Sequence, residues 1–188
     1  MPGVEGRVAL VTGAGRGIGR VTADLLASRG ARVMAVARTE NELQTLGLDY
    51  VVADLGTADG CTLAVKETQD RLGPVAILIC NHGIGSAHER VIWEQEPELW
   101  RETMRINLDG PYFLSQLVVK DMIEQGYGRL VFTSSTAGQV AEYAGSAYSS
   151  SKHGLLGLMR SVAQDAGPHN VTSNAVLPGW VRTPMAEL

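Results

Sequence analysis

A glycine-rich turn between an apolar run and a helical pattern constrains this chain more than any other feature. The run Val8–Val11 leads into the turn, and Val21, Leu25 and Leu26 follow at helical spacing. The turn itself reads Thr12-Gly13-Ala14-Gly15-Arg16-Gly17-Ile18-Gly19. Free N–H groups at a helix start attract anions, and glycine lets a phosphate approach the backbone closely. The pattern therefore predicts a strand, a tight turn and a helix that together bind a nucleotide pyrophosphate.

The spacing of the glycines does not match the two commonest phosphate motifs. The usual dinucleotide fingerprint needs glycine at its sixth position, which here is Ile18, and the Gly-Lys-Ser/Thr of a Walker loop is absent. The pattern that fits is Thr-Gly-x-x-x-Gly-x-Gly. On this motif alone, a glycine-rich turn without any ligand remains the alternative.

Short apolar runs alternate with helix-length segments along the whole chain. Runs this apolar suit strands covered on both faces, and their alternation with helices predicts an α/β fold with a parallel sheet. The predicted strands are Val8–Val11, Val33–Ala37, Tyr50–Ala53, Val75–Cys80, Leu130–Thr133 and Val171–Val176. The predicted helices are Gly17–Ser28, Thr57–Leu72, Glu98–Gln125 and Ala147–Ala166. At 188 residues the chain is predicted to form a single domain, residues 1–188.

Charge and cysteine usage exclude several classes of protein. A formal charge of -4 argues against nucleic acid as a partner, and no apolar run is long enough to cross a bilayer. The N-terminus lacks a signal pattern, and two cysteines make no disulfide framework. We therefore expect a cytoplasmic protein that acts on a small molecule. The sequence shows no cluster of ligand residues, so no metal is expected.

Ligands in such sheets bind beyond the carboxyl ends of the strands. After the second strand stands Arg38, where an NAD enzyme would usually place an acidic residue for the ribose hydroxyls. A guanidinium can pair with a 2′-phosphate, and Arg16 in the glycine turn could supply a second one. Two arginines with no competing carboxylate favour NADP over NAD.

The other strand ends also carry polar or glycine turns. After the third strand, Asp54 could accept a hydrogen bond from an adenine amino group, or it could cap the next helix. Asn81-His82-Gly83 follows the fourth strand, and Leu177-Pro178-Gly179-Trp180 follows the sixth. Such turns at every strand end would be unusual for a purely structural sheet.

Tyr148 and Lys152 stand four residues apart in a predicted helix, so they share one helical face. A nearby ammonium stabilises phenolate and lowers the pKa of a phenol. A phenol poised in this way can exchange a proton with a reacting oxygen. The alternative is a half-buried tyrosine used for packing beside a solvated lysine.

Taken in order, these motifs resemble the short-chain dehydrogenase/reductase family, and among its members the NADP(H)-dependent 3-oxoacyl and carbonyl reductases. The match covers the full length: the glycine turn, Asp54, Asn81-His82-Gly83, Asn107, Ser134-Ser135, Tyr148 with Lys152, and Pro178-Gly179. The resemblance implies a doubly wound, Rossmann-like parallel sheet in the order 3-2-1-4-5-6.

The resemblance also implies catalytic roles. Ser135 would orient a carbonyl oxygen, and Tyr148 would exchange a proton with it as hydride is transferred. Lys152 would bind the nicotinamide ribose and favour the phenolate, and Asn107 would hold a water linking Lys152 to solvent. The implied cofactor contacts are Gly13, Gly15, Arg16, Gly17, Ile18, Gly19, Arg38, Asp54, Leu55, Asn81, Gly83, Tyr148, Lys152, Pro178, Gly179, Val181 and Thr183.

The chain departs from the family pattern at two places. His82 stands where the family usually has alanine, which we interpret as a packing variation rather than a second titrating group. Family members normally continue beyond the position of Leu188, so we expect the seventh strand and the substrate-covering segment to be missing. The segment Ala137–Ala147, with Val140 and Tyr143, is expected to line the substrate pocket.

The leading hypothesis is an oxidoreductase that transfers hydride between NADP(H) and a carbonyl or secondary alcohol, for which a 3-oxoacyl thioester is a candidate substrate. The alternatives are an NAD-dependent alcohol dehydrogenase of the same family, a catalytically silent dinucleotide sensor, and an inactive fragment that folds only on assembly. Because Glu98–Gln125 and Ala147–Ala166 resemble the family's dimer-forming helices, we expect a homodimer or homotetramer.

Overall fold

The computed structural model describes residues 3–183 and is built around a parallel sheet of six strands. Their order is β3-β2-β1-β4-β5-β6, as the resemblance implied. The strands are β1 Val8–Thr12, β2 Arg32–Ala37, β3 Asp49–Val52, β4 Ile77–Cys80, β5 Gly128–Thr133 and β6 Val171–Val176. All neighbouring strands run parallel. Residues 1–2 and 184–188, which include the expected end of the domain at Leu188, lie outside the described part.

In the part of the chain that the structure describes, six α-helices flank the sheet: α1 Gly17–Ser28, α2 Glu40–Gln44, α3 Ala58–Leu72, α4 Pro97–Met104, α5 Gly110–Glu124 and α6 Ser146–Ala166. Successive residues of a strand point to opposite faces, so each strand feeds two cores. Leu10 packs on the face that α3 and α5 cover, whereas Ala9 and Val11 pack on the face of α1. Burial on both faces is the physical reason why β1 and β4 are continuous apolar runs, whereas β3 and β6 carry exposed residues.

The predicted helix Glu98–Gln125 is wrong as a single element. The structure divides it into α4, a π-helical turn at Arg105–Asp109, and α5. Pro111 has no N–H to donate to the Asn107 carbonyl, so regular helical bonding fails at this point. The short helix α2 was not predicted, because five residues give too little periodicity.

The winding of the sheet defines where a ligand can lie. The chain moves outward from β1 to β2 and β3, and then returns to place β4 on the other side of β1. The connections after β1 and β4 therefore leave the sheet in opposite directions and open a crevice at its carboxyl edge. Within residues 3–183, no helix is long and apolar enough to span a membrane.

Candidate active site

The glycine turn has the shape that its sequence predicts. Gly13 and Gly17 both have positive φ angles, +62° and +56°, which favour glycine. A Cβ at Gly13 would lie 2.9 Å from the His82 Cα, and a Cβ at Gly19 would collide with the Gly13 carbonyl oxygen. The turn thus packs tightly against its own backbone and against the turn after β4, and only glycine fits at these positions.

The start of helix α1 is left open toward this turn. Arg16 stands at the N-cap and makes no side-chain cap hydrogen bond, and the first turn contains no acidic residue. The first N–H groups of a helix have no partner within the helix, and with the dipole they favour an anion. Gly17, Ile18 and Gly19 form that first turn, so the described residues fit a bound pyrophosphate.

Two arginines and one unexpected carboxylate are found around the glycine turn and the end of β2. Arg38 is exposed, and Arg16 is also largely exposed. The expectation that no carboxylate competes for these cations is wrong. Helix α2 turns Glu42 back over the turn, so that a Cβ at Gly15 would collide with its carboxylate. Sequence reasoning considered only the strand end and missed α2, which carries Glu42.

Asp54 lies at the end of β3 and does not cap helix α3. That cap is Thr57, whose hydroxyl accepts a hydrogen bond from the Gly60 N–H at 3.0 Å. The Asp54 carboxylate instead receives the Arg105 guanidinium at 2.8 Å and the Gly56 N–H at 3.1 Å. Burial raises the pKa of Asp54, but these donors outweigh burial and hold the pKa below its usual value. Asp54 is therefore an ionised carboxylate that is paired with Arg105.

Leu55 follows Asp54 but points away from the crevice. Its side chain is buried in the core, and its carbonyl accepts from the Cys61 thiol at 3.3 Å. Only its backbone N–H remains as a group with which Leu55 could reach a nucleotide.

The Thr12 hydroxyl ties the glycine turn to the turn after β4. It donates to the Ile79 carbonyl at 3.0 Å and accepts from the Asn81 and His82 N–H groups at 2.9 and 3.2 Å. The Asn81 amide also donates to the Gly13 carbonyl at 3.4 Å. The two turns that flank the crevice are therefore held as one unit.

His82 behaves as a packing residue. Its Nδ1 lies 2.8 Å from the Thr12 hydroxyl, and its buried Nε2 has no hydrogen-bond partner among the described residues. A Cβ at Gly110 would lie 2.7 Å from that nitrogen. Burial lowers the pKa of His82 to about 3. The ring is therefore neutral at physiological pH and fills space that Gly110 leaves open.

Ser135, Tyr148 and Lys152 come together beside the end of β5. Lys152 Nζ donates to the Thr133 carbonyl at 2.9 Å and lies 5.5 Å from the centre of the Tyr148 ring. The Tyr148 phenol lies close enough to the Ser135 hydroxyl for that hydroxyl to lower its pKa. Ser135 Oγ accepts from the Ala137 N–H at 3.1 Å, which fixes the orientation of the side chain.

The protonation states of this cluster differ from the sequence expectation. Burial raises the pKa of Tyr148, and the Glu142 carboxylate raises it further, although Ser135 opposes both. Burial lowers the pKa of Lys152 to about 8. Burial dominates the pKa of Tyr148, so the lowering expected from Lys152 does not prevail in the free protein. Tyr148 therefore keeps its proton at neutral pH.

Asn107, in the π-helical turn, makes hydrogen bonds next to the cluster of Ser135, Tyr148 and Lys152. Its amide exchanges hydrogen bonds with the Ile84 backbone, at 2.8 Å from the N–H and 3.0 Å to the carbonyl, and donates to the Ser151 hydroxyl at 3.1 Å. A Cβ at Gly83 would lie 3.1 Å from Asn107 Oδ1 and 3.6 Å from Lys152 Nζ. Gly83 thus lies where the two functional side chains converge.

Glu89 is a site residue that sequence reasoning missed. Its carboxylate accepts from the Ala147 and Tyr148 N–H groups at 2.9 and 2.6 Å, and the residue is only 5% exposed. Burial raises the pKa of Glu89, and the two N–H groups oppose that shift. Glu89 therefore caps helix α6 at the backbone of Tyr148. The one sequence signal was that Gly145, at the N-cap, has no side chain that could cap the helix.

The segment after β6 returns to the crevice. The Pro178 carbonyl accepts from the Thr136 N–H at 3.1 Å, and Gly179 lies beside the same residue. The Thr183 methyl group lies 3.3 Å from the position of a Cβ at Gly17, so this residue stands over the glycine turn. Exposed apolar side chains flank this edge of the molecule: Val140, Tyr143, Trp180 and Val181.

Comparisons with known proteins show which family and which proteins this chain resembles. The family model for short chain dehydrogenases matches residues 7–188. The 3-oxoacyl acyl-carrier-protein reductase FabG of Escherichia coli (strain K12) is 33% identical over 188 residues, covering 96% of this chain and 76% of that protein. A putative ketoacyl reductase of the monensin polyketide synthase from Streptomyces virginiae is 36% identical over 192 residues, covering 96% and 73%.

A solved structure gives the same result for the fold. An actinorhodin polyketide ketoreductase variant with NADPH superimposes with a TM-score of 0.92 at 35% identity, covering 96% of this chain and 72% of that one. The family model, the two relatives and the strand order all agree on the family to which this chain belongs. The chain therefore belongs to the short chain dehydrogenase family and is an oxidoreductase of carbonyl and CH–OH groups.

Proposed function

We propose that this chain is an NADP(H)-dependent carbonyl reductase whose substrates are 3-oxoacyl thioesters or related ketones. The observation that carries the proposal is the convergence of Ser135, Tyr148 and Lys152 next to an open helix start. A bound nicotinamide supplies the hydride, while the protein supplies position and a proton.

Ser135 orients the substrate carbonyl. Its Oγ already accepts from the Ala137 N–H, so its own O–H is free to donate. A hydrogen bond from this hydroxyl to the carbonyl oxygen polarises the bond and makes the carbon a better hydride acceptor.

Tyr148 donates the proton. Its raised pKa keeps the phenol protonated at neutral pH, which is the form that reduction needs. In the reverse direction a phenolate must accept the proton, so oxidation requires higher pH or the field of a charged Lys152. Two observations support this role of Lys152: its Nζ lies 5.5 Å from the centre of the Tyr148 ring, and the bond to the Thr133 carbonyl orients it. Asn107 holds the adjoining loop.

NADP(H) is the proposed cofactor because two guanidinium groups, Arg16 and Arg38, flank the end of β2. The pyrophosphate would lie at the glycine turn, and Asp54 would accept from the adenine amino group. The related ketoreductase structure contains NADPH. NAD(H) is the alternative, since the same crevice also holds the Glu42 carboxylate.

The names of the relatives and the exposed apolar side chains after Ser135 support the proposed substrate class. FabG is by name a 3-oxoacyl acyl-carrier-protein reductase, and the monensin relative a ketoacyl reductase. Val140 and Tyr143, which are 68% and 91% exposed, follow Ser135 and suit an apolar chain beyond the reacting carbonyl. We further propose a cytoplasmic homodimer or homotetramer that forms through α5 and α6.

A turnover screen tests the proposal. The chain is assayed with NADPH and with NADH against aliphatic ketones, cyclic ketones and 3-oxoacyl thioesters. NADPH oxidation that is fastest with a 3-oxo thioester would support the full proposal. Nucleotide binding with no turnover across the panel would instead favour a catalytically silent sensor.

A further inference from the structure

A carboxylate from helix α2 lies against the glycine turn. Glu42 Oε2 occupies the space that a Cβ at Gly15 would need, and the Glu42 Cβ lies 3.0 Å from the same point. Its Oε1 lies 3.9 Å from the Arg16 guanidinium, and the Glu42 side chain is only 33% exposed. The turn that would hold a nucleotide phosphate thus has an anion of the protein at its edge.

Helix α2 holds this carboxylate in place. Arg20, on helix α1, donates to the Thr45 hydroxyl at 2.7 Å and to the Thr45 carbonyl at 3.1 Å. It also donates to the Glu42 carbonyl at 3.4 Å, while Leu43 is fully buried beneath. The position of Glu42 is therefore fixed by backbone contacts as well as by its own side chain.

The carboxylate stands where the ribose is recognised in this fold. The Ala37 Cβ, at the end of β2, lies 3.4 Å from the same Cβ position on Gly15. In doubly wound sheets a carboxylate near this strand end accepts a hydrogen bond from the 2′-hydroxyl, and an arginine accommodates a 2′-phosphate. This chain presents both kinds of group, with the acid supplied by α2 rather than by the strand end.

We infer that Glu42 is a specificity-determining residue that sets the balance between NADP(H) and NAD(H). It repels a 2′-phosphate and competes with that phosphate for Arg16, whereas it can accept a hydrogen bond from a free 2′-hydroxyl. Glu42 therefore weakens the preference for NADP(H) that Arg16 and Arg38 establish. This inference rests on the proposed nucleotide site.

The test compares Glu42→Gln with a matched control, Glu40→Gln. Glu40 lies on the same helix and carries the same charge, but its Oε1 accepts from the Tyr50 hydroxyl at 3.2 Å, away from the turn. Dissociation constants for NADPH and NADH are measured by titration of nucleotide fluorescence, without substrate. We expect Glu42→Gln to bind NADPH about 3- to 10-fold tighter, and NADH no tighter than the parent does.

The control and the salt dependence complete the test. Glu40→Gln should keep the ratio of the NADPH and NADH dissociation constants within about twofold of the parent. The gain in NADPH affinity of Glu42→Gln should shrink near 0.5 M salt, because salt screens exposed charges. An unchanged ratio in Glu42→Gln, or an equal change in both variants, would overturn the inference while leaving the proposed function intact. If neither parent nor variants bound either nucleotide, both would be overturned.

Discussion

The starts of helices α1 and α6 lie at the same edge of the sheet but differ in how their N–H groups are satisfied. At α1 the N-cap Arg16 makes no side-chain bond, and the first turn consists of Gly17, Ile18 and Gly19. At α6 the buried Glu89 carboxylate accepts from the second and third residues of the helix. One helix start is left for an external anion, whereas the other already contains an anion of the protein.

The two helix starts therefore suit different tasks: the start of α1 suits nucleotide binding, and the start of α6 suits catalysis. An open helix start can bind a phosphate, and the side chains around it, such as Arg16, can remain exposed until the phosphate binds. Tyr148 is the third residue of α6, so the cap at its own N–H fixes the backbone that carries the phenol before any ligand is present. The catalytic side of the crevice is therefore preorganised, and the nucleotide side is prepared for a ligand.

The largest effect is expected on the catalytic side of the crevice, where a substitution at Lys152 should abolish most of the activity but leave the fold intact. Lys152→Met should lower turnover by about 10²–10⁴-fold, because proton transfer loses the ammonium beside Tyr148. Thermal stability should not fall comparably, since burial disfavours the charged form of Lys152. Steady-state kinetics and thermal melts of both proteins check this. A melting temperature that dropped together with activity would mean that Lys152 is mainly structural.

The next effect concerns the nucleotide side. Arg38→Ala should weaken NADPH binding by about 10- to 100-fold through the loss of a charged contact, and should change NADH binding little. Titration with each nucleotide measures both constants. Equal losses for the two nucleotides would show that Arg38 does not face the 2′-phosphate.

A smaller effect is expected at the capped start of α6. Glu89→Gln should lower stability by about 1–2 kcal/mol, because a neutral amide accepts the two N–H groups less well than a buried carboxylate. Turnover should fall while NADPH affinity stays the same. Glu142→Gln, at an exposed carboxylate nearby, is the matched control and should change stability by much less. Equal destabilisation in both variants would argue against a capping role for Glu89.

The smallest effect is a pH dependence. Because the pKa of Lys152 lies near 8 in the folded protein, NADPH affinity should fall as pH rises through that value, by about twofold at the midpoint. Lys152 in the unfolded chain stays protonated to higher pH than in the folded protein. Its contribution to the free energy of unfolding therefore rises, rather than falls, as pH increases through this range. Titrations from pH 6 to about 9.5, repeated with Lys152→Met, separate this dependence from unfolding. The same dependence in that variant would contradict the assignment.

The sequence was sufficient to predict the strands, most clearly β1 and β4, which are buried on both faces and consist of apolar runs. It also located the glycine turn and the Tyr148–Lys152 pair, since both are short-range patterns. It failed where contacts are long-range: Glu89 meets α6 across 58 residues, and no local pattern marks it. It also failed at α2, where one short helix brings Glu42 to the turn.

The π-helical turn is a third place where prediction from the sequence failed. Hydrophobic periodicity cannot register one extra residue in a helix, so Glu98–Gln125 read as continuous. The proline at 111 and the buried Asn107 amide are the physical causes of the break.

Replacing the Tyr148 hydroxyl tests the central claim most directly. Tyr148→Phe keeps the ring, and the account predicts that reduction of the best carbonyl substrate falls by about 10²–10⁴-fold while the NADPH dissociation constant stays within about twofold. Turnover equal to that of the parent, with the same NADPH affinity, would contradict the account, because the proton would then have to come from a group other than Tyr148.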